Sequence, residues 1–302
     1  MENDKWSSWL LERRFGNNQA LYQSTMSHLH EIRNHIISHA AIREGEVVLD
    51  VGSGDGLLAF EAVKHTGSSG RVILSDISQP ALDHCREFAL AAGLGDRVQF
   101  VVDSAEELAQ IQDSSVDVVM LRAVLLYCED KEKCIKQFYR VLRPGGRLCL
   151  CEPINKFAAD HSKNRKTLLG FDLSPLGALA DKVLAQYGNS GNGKAADSPY
   201  RNMLNFDERD LLRHVHELDF REVTLEFAAS ISHSIGRLEW DAFYKLSANP
   251  LAPTLEEALQ AALTADEMDV FTAYLKPLVE STPGYLDAYQ RYRAQAYVFA
   301  LK

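Results

Sequence analysis

Short apolar runs alternate with helical patterns between residue 46 and about residue 152, and this alternation limits the possible folds more than any other feature. Runs this apolar are typical of strands covered on both faces of a sheet. Strands that alternate with helices predict a parallel sheet between two helical layers. The expected fold is therefore α/β with a doubly wound sheet, whose first five strands are Val47–Leu49, Arg71–Asp76, Val98–Val102, Val116–Leu121 and Arg147–Cys151.

The turn after the first strand is rich in glycine and reads Asp50-Val51-Gly52-Ser53-Gly54-Asp55-Gly56. Glycines permit a tight turn and let a ligand approach the backbone. The spacing departs from the dinucleotide fingerprint G-x-G-x-x-G, because the third glycine comes one residue early and Asp50 precedes the first. A carboxylate at this position gives a pyrophosphate no favourable contact, so the turn favours a ligand that carries an ammonium and a sulfonium.

Acidic residues also end the second and third strands. Asp76 ends the second strand and can accept hydrogen bonds from ribose hydroxyls, and Ile77 can pack on one face of a purine. Asp103 and Ser104 end the third strand and can accept from an exocyclic amine. Because the carboxyl ends of parallel strands share one edge of a sheet, the sequence predicts a ligand site there.

Taken together, these segments resemble the class I S-adenosylmethionine-dependent methyltransferases. The resemblance covers roughly residues 44 to 152, and it implies a Rossmann-like, seven-stranded, mostly parallel sheet with an antiparallel C-terminal strand and S-adenosylmethionine as cofactor. It also implies that Gly52 and Gly54 border the methionine part, that Asp76 binds the ribose, that Asp103 or Ser104 meets the adenine and that Arg122 lies near the amino-acid end. The segments that carry it are Val48–Gly56, Ser75–Ser78, Asp103–Ala105, Leu121–Leu125 and Leu142–Gly146. The predicted cofactor site comprises Asp50, Gly52, Ser53, Gly54, Gly56, Asp76, Ile77, Asp103, Ser104 and Arg122.

The segment Leu142–Pro153 is similar to enzymes of this class that act on small molecules, including the quinone-biosynthesis type. Members that modify nucleic-acid bases carry an Asn/Asp-Pro-Pro-aromatic tetrad after the fourth strand, where this chain reads Leu121-Arg122-Ala123-Val124. Arsenic methyltransferases are also related, but they need several converging cysteines. We therefore expect a small-molecule methyl acceptor. A nicotinamide-dependent oxidoreductase and a non-catalytic, cofactor-binding relative are the alternatives.

The rest of the chain is expected to surround this core. Residues 1–42 form an N-terminal helical segment over the cofactor site, and residues 43–302 form the methyltransferase domain. Two insertions, at about 153–205 and 229–290, are expected to form the acceptor-binding cap. Because a strand at 222–227 and one at 295–301 continue the sheet, the insertions belong to a single domain.

Methyl transfer from a sulfonium is an in-line displacement, which depends on holding the acceptor roughly 3 Å from the methyl group and on excluding water. It requires no nucleophile and no metal. His161, Tyr200 and His233 are the predicted catalytic residues, and Glu152 is a further candidate base. The aromatic residues that can line an acceptor pocket, or simply pack in a core, are Trp6, Trp9, Tyr22, Phe157, Phe171, Tyr200, Trp240, Phe243 and Tyr244.

The composition excludes several classes of function. The formal charge is −10, which argues against a nucleic-acid partner because such binding depends on clustered Lys and Arg. No stretch approaches the ~20 apolar residues of a membrane span. An odd number of cysteines without a C-x-x-C pair indicates reduced thiols and a cytoplasmic protein. As a separate expectation, the protein is a monomer or a homodimer. His35 and His39 have the spacing of two metal ligands, but without an H-E-x-x-H pattern no metal site is predicted.

Overall fold

The computed structural model describes residues 4–157, 166–188, 200–232, 239–281 and 291–302. Its backbone divides into two compact units. The sheet unit comprises residues 28–154, 202–228 and 294–302. The helical unit comprises residues 1–27, 155–201 and 229–293, as far as these are described. The predicted role of the insertions as an acceptor-binding cap stays a prediction.

A seven-stranded sheet forms the centre of the sheet unit, in the order β3-β2-β1-β4-β5-β9-β8. The first five strands pair in parallel, and β9 pairs antiparallel with β5. The predicted mostly parallel, Rossmann-like sheet with an antiparallel C-terminal strand is therefore confirmed. The strands are β1 Val47–Val51, β2 Arg71–Asp76, β3 Val98–Val102, β4 Val116–Arg122, β5 Leu142–Pro153, the short pair β6 Thr167–Leu168 and β7 Phe171–Asp172, β8 Glu222–Ser232 and β9 Arg291–Leu301.

Helices begin where the sequence supplies a side chain for their first free amides. Ser78 caps α4 by accepting a hydrogen bond from the Ala81 N–H, and Asp130 caps α5 in the same way. Thr254 and Glu257 form a capping box at the start of α10. The described helices are α1 Lys5–Ser8, α2 Gln19–Ala40, α3 Ala59–Ala62, α4 Gln79–Ala91, α5 Lys131–Val141, α6 Ala178–Gln186, α7 Arg201–Leu204, α8 Glu208–His216, α9 Trp240–Lys245, α10 Leu255–Ala262 and α11 Ala265–Ser281.

The helical unit has an apolar core of its own. Phe171, Trp240 and Phe243 are buried in it and contact one another. Tyr244 packs against the same cluster. These four aromatic side chains, which the sequence offered either as walls of an acceptor pocket or as core residues, therefore pack in a core. No described helix is long and apolar enough to cross a membrane.

Candidate functional site

The glycine turn joins β1 to α3 at the carboxyl edge of the sheet, where the strand order changes direction between β1 and β4. Open α/β sheets bind ligands at such a switch point. Gly52, Gly54 and Gly56 all have positive φ angles, of 63°, 53° and 80°. A Cβ added at Gly52 would lie 2.5 Å from a methyl carbon of Val124, which follows β4. Residue 52 must therefore be glycine for reasons of both conformation and space.

The Asp76 carboxylate holds the glycine turn in place. One of its oxygens, Oδ2, accepts a hydrogen bond from the Gly54 N–H at 2.8 Å. The other, Oδ1, accepts from the Ser78 N–H at 2.9 Å, at the start of α4. Asp76 therefore connects the end of β2 to the turn after β1, in addition to its predicted contact with a ribose.

Asp50 lies under the same turn and is almost fully buried. Its Oδ2 accepts a hydrogen bond from the Ala59 N–H at 2.9 Å, so the carboxylate supports the first turn of α3. Burial raises the pKa of Asp50 well above its ordinary value, and the nearby carboxylates of Asp76 and Asp55 raise it further. The carboxyl groups of Asp76 and Asp55 therefore both lie within electrostatic reach of Asp50.

The Cys85 thiol is affected by the same carboxylates. Its Sγ donates a hydrogen bond to the Gly54 carbonyl oxygen at 3.2 Å. The pKa of Cys85 is raised to about 12, first by burial and then by the carboxylates of Asp55, Asp50 and Asp76. The surroundings of the glycine turn therefore disfavour an added negative charge, such as a thiolate or a phosphate, and favour a cation.

The turn after β3 is organised by Asp103. Its two carboxylate oxygens accept hydrogen bonds from the backbone N–H groups of Ser104 and Gln110, at 2.9 and 2.8 Å. The Asp103 N–H donates to the Asp76 carbonyl oxygen at 3.1 Å, so the ends of β2 and β3 stay together. Ile77 directly follows Asp76 and has 53% of its surface exposed, which leaves an apolar face available for a flat ring.

Glu152, at the end of β5, holds the loop that follows β4. Its carboxylate accepts hydrogen bonds from the N–H groups of Val124, Leu125 and Leu126, at 2.8, 3.0 and 3.2 Å. The side chain is fully buried, and burial raises its pKa to about 7 although these donors and Arg122 act in the opposite direction. The carboxylate therefore positions this loop, and the suggested role of Glu152 as a base for the acceptor stays a prediction.

Two of the residues predicted to bind the cofactor carry buried polar atoms that have no hydrogen-bond partner among the described residues. These atoms are Ser53 Oγ and Arg122 Nε. Ala123, next to Arg122, adopts a φ of 57°, a conformation that is costly for residues other than glycine. Buried groups without partners are rare in folded proteins, and a polar ligand at this edge can satisfy them.

Comparisons with known proteins agree with this geometry. A family model described as a methyltransferase domain matches residues 42–191. The ubiquinone/menaquinone biosynthesis C-methyltransferase of Hahella chejuensis is 38% identical over 116 residues, which is 38% of this chain and 46% of that protein. Its counterpart in a Marinomonas species is 37% identical over 120 residues, covering 40% and 47% of the two chains.

This chain contains a class I S-adenosylmethionine-dependent methyltransferase domain. The crystal structure of YcgJ from Bacillus subtilis shares the fold, with a TM-score of 0.51, 14% identity and coverage of 90% of this chain and 98% of that one. The matched segments span just under half the length of the curated relatives. The predicted family and its S-adenosylmethionine cofactor are confirmed at the level of the domain.

Of the three predicted catalytic residues, the structure describes one, Tyr200. His161 and His233 lie outside the described residues. Tyr200 lies in the helical unit, where its hydroxyl donates a hydrogen bond to the Leu251 carbonyl oxygen at 3.3 Å. Burial raises the pKa of Tyr200, which disfavours the phenolate that a base would require. The catalytic assignments stay predictions.

Proposed function

We propose that this protein transfers a methyl group from S-adenosylmethionine to a small organic acceptor. The single observation that carries the proposal is the group of three carboxylates, Asp50, Asp55 and Asp76, around a glycine turn at the switch point of the sheet. A cationic nucleoside gains from that field, whereas a pyrophosphate would add negative charge to it. The domain family supports the same conclusion.

Different residues in and around the turn are proposed to bind different parts of the cofactor. Gly52 and Gly54 let the backbone approach the methionine part, and the acidic surroundings stabilise its positive charges. Asp76 accepts from the ribose hydroxyls while it fixes the Gly54 amide. Ile77 covers one face of the adenine, and the Asp103–Ser104 turn meets its edge. Ser53 and Arg122 are available for polar groups of the amino-acid end.

The cofactor supplies a methyl group that is already activated on a positively charged sulfur. The protein therefore has to hold the acceptor in line with that group and keep water out. A base contributes only if the acceptor must lose a proton during transfer. The described residues around the turn supply binding and orientation, and their precise backbone positions depend on Asp76 and Glu152.

The acceptor is proposed to be a small, largely apolar or aromatic metabolite. The curated relatives support this class, since they are named as C-methyltransferases of ubiquinone and menaquinone biosynthesis. Whether oxygen, nitrogen or carbon receives the methyl group here is left open by the site. The monomeric or homodimeric state and the cytoplasmic location also stay predictions.

Binding measured by calorimetry tests the cofactor site. We expect S-adenosylmethionine and S-adenosylhomocysteine to bind, and NAD not to bind. Asp76→Ala should weaken binding at least about tenfold, because it removes charge-assisted hydrogen bonds from the ligand and from the turn. The matched control is Asp96→Ala, an exposed aspartate between α4 and β3. Binding of NAD instead of the nucleoside would overturn the proposal.

A second variant distinguishes the loss of a contact with the cofactor from damage to the glycine turn. Ile77→Ala changes a side chain that is more than half exposed, so the free energy of unfolding should change little. Cofactor affinity should still fall several-fold.

To find the acceptor, the enzyme is incubated with S-adenosylmethionine and a panel of quinols, phenols and amines. The acceptor is the compound that gives S-adenosylhomocysteine together with a product heavier by one methylene group. If S-adenosylhomocysteine is released but none of the compounds gains a methylene group, transfer to a small molecule is contradicted.

A further inference from the structure

Three side chains of types that bind metals meet within the sheet unit, outside the residues assigned to the cofactor. His35 and His39 lie on α2, and Glu226 lies on β8. Their donor atoms all lie within 4.8 Å of one another. His35 Nε2 is 2.7 Å from Glu226 Oε2, and His39 Nε2 is 3.5 Å from Glu226 Oε1. Each histidine therefore faces a different oxygen of the same carboxylate.

The helix and the neighbouring strand hold both rings in this arrangement. Residues four apart on a helix share one face, which brings the two imidazoles together with a centroid distance of 4.5 Å. The His39 ring stacks on Phe299 of β9 at 3.8 Å, with an angle of 8° between the planes. The His35 ring contacts Tyr297 edge-on at 4.7 Å. These aromatic contacts restrict the rotation of both ligands.

The hydrogen bond made by His39 Nδ1 determines whether Nε2, the nitrogen that faces Glu226, carries a lone pair. His39 Nδ1 lies 3.1 Å from the His35 carbonyl oxygen. A carbonyl oxygen only accepts, so Nδ1 must carry the proton of that bond. In the neutral ring Nε2 then presents its lone pair toward the carboxylate, and a proton or a metal ion between these two acceptors satisfies both. Histidines that ligate metals are oriented by such a hydrogen bond from the second nitrogen.

We propose that His35, His39 and Glu226 bind one divalent transition-metal ion of the zinc type, with a further coordination position left for water. Donors at about 2.0–2.2 Å from a tetrahedral metal lie roughly 3.3 Å apart, and the two measured separations fall on either side of that value. Two imidazoles and one carboxylate suit Zn²⁺, Ni²⁺ or Cu²⁺, whereas Mg²⁺ and Ca²⁺ prefer sets of oxygen ligands. On binding, the metal ion takes the place of the proton between His35 Nε2 and Glu226, and the neutral His35 ring carries its single proton on Nδ1.

Access and connectivity both fit such a site. The histidine side chains are 37% exposed and that of Glu226 is 41% exposed, so an ion can enter from solvent. His35 and Glu226 are 191 residues apart in the chain. The ion would therefore fasten α2 to β8. Glu226 supplies the carboxylate that the sequence near the two histidines lacks, and the site does not depend on the proposed methyl transfer.

Calorimetric titration of the purified full chain with Zn²⁺ tests this site. We expect one ion to bind per chain, Mg²⁺ to give no signal, and Co²⁺ to show the visible absorption of a coordinated ion. His39→Ala and Glu226→Gln should each weaken Zn²⁺ binding at least about tenfold. The matched control is His30→Ala, an exposed histidine on the same helix, which should bind as the wild type does.

The thermal midpoint of each variant is recorded without metal, so that a folding defect is recognised. Because Glu226→Gln keeps the shape of the side chain, it tests charge and ligation with the least change in packing. Zn²⁺ should raise the midpoint of the wild type and of His30→Ala only. Absence of binding, or binding that neither His39→Ala nor Glu226→Gln weakens, would show that the three side chains form a hydrogen-bonded cluster without affinity for a metal.

Discussion

Ionisation of Glu152 should make the protein less stable as the pH rises from about 5 to about 8. The Glu152 carboxyl has a pKa of about 7 in the folded protein, against an ordinary value of 4.5. Between these two values the folded protein keeps a proton that the unfolded chain has already lost. Stability therefore falls with rising pH across this range, because the folded state binds more protons.

The size of the effect follows from the two pKa values. Linkage gives a contribution of about 2–3 kcal/mol at pH ~5 that is almost absent at pH ~8. No reduction for solvent screening is needed, because the side chain has no exposed surface. The contribution is large for a single group, since a domain is typically stable by only about 5–15 kcal/mol.

Urea unfolding of the wild type and of Glu152→Gln at several pH values measures it. The glutamine keeps an oxygen that accepts from Val124 and Leu125, but it turns an amide toward the Leu126 N–H, which costs about 1–3 kcal/mol at every pH. The difference in unfolding free energy between the two proteins should therefore change by about 2–3 kcal/mol across the range. Glu129→Gln, an exposed glutamate on the same loop, is the control. A difference that is constant with pH would refute the reasoning.

Two further substitutions test the turn and the helical unit. Gly52→Ala should reduce stability by about 1–3 kcal/mol and weaken S-adenosylmethionine binding, because the new Cβ meets Val124. Adding Val124→Ala should recover part of the loss, and a double-mutant cycle without coupling would speak against the contact. Thr254→Ala should lower the stability of the helical unit by about 1 kcal/mol, since the Glu257 N–H loses its acceptor. A thermal midpoint equal to that of the wild type would contradict this role of the cap.

The sequence predicted the central strands well because their apolar runs are local and continuous. β2 and β3 have the bounds expected from their residues. The helix after the glycine turn is shorter than its apolar pattern indicates, since only Ala59–Ala62 is helical. Pro277 lies inside α11, which continues past it to Ser281. A proline stops a helix only when the surrounding contacts do not compensate for the lost hydrogen bond.

The roles of individual site residues were harder to predict, because they depend on contacts between distant parts of the chain. Glu152 meets the Val124 amide, which precedes it by 28 residues, and nothing in the local sequence distinguishes this buried carboxylate from a base. Glu226 lies far from both histidines in sequence. Asp76, in contrast, could be predicted to belong to the site, because it ends a strand next to the glycine turn. Its bond to the Gly54 amide required the three-dimensional structure.

The position of β9 has a consequence for how the protein is made. In the sheet order, β8 is joined to the other strands through β9, although β9 is synthesised later. The ribosome adds 58 residues between Ser232, where β8 ends, and Arg291, where β9 begins, which takes roughly 3–12 s at about 5–20 residues per second. During that interval β8 has been synthesised but cannot yet pair with β9. A chaperone that shields a strand edge would have this interval in which to act.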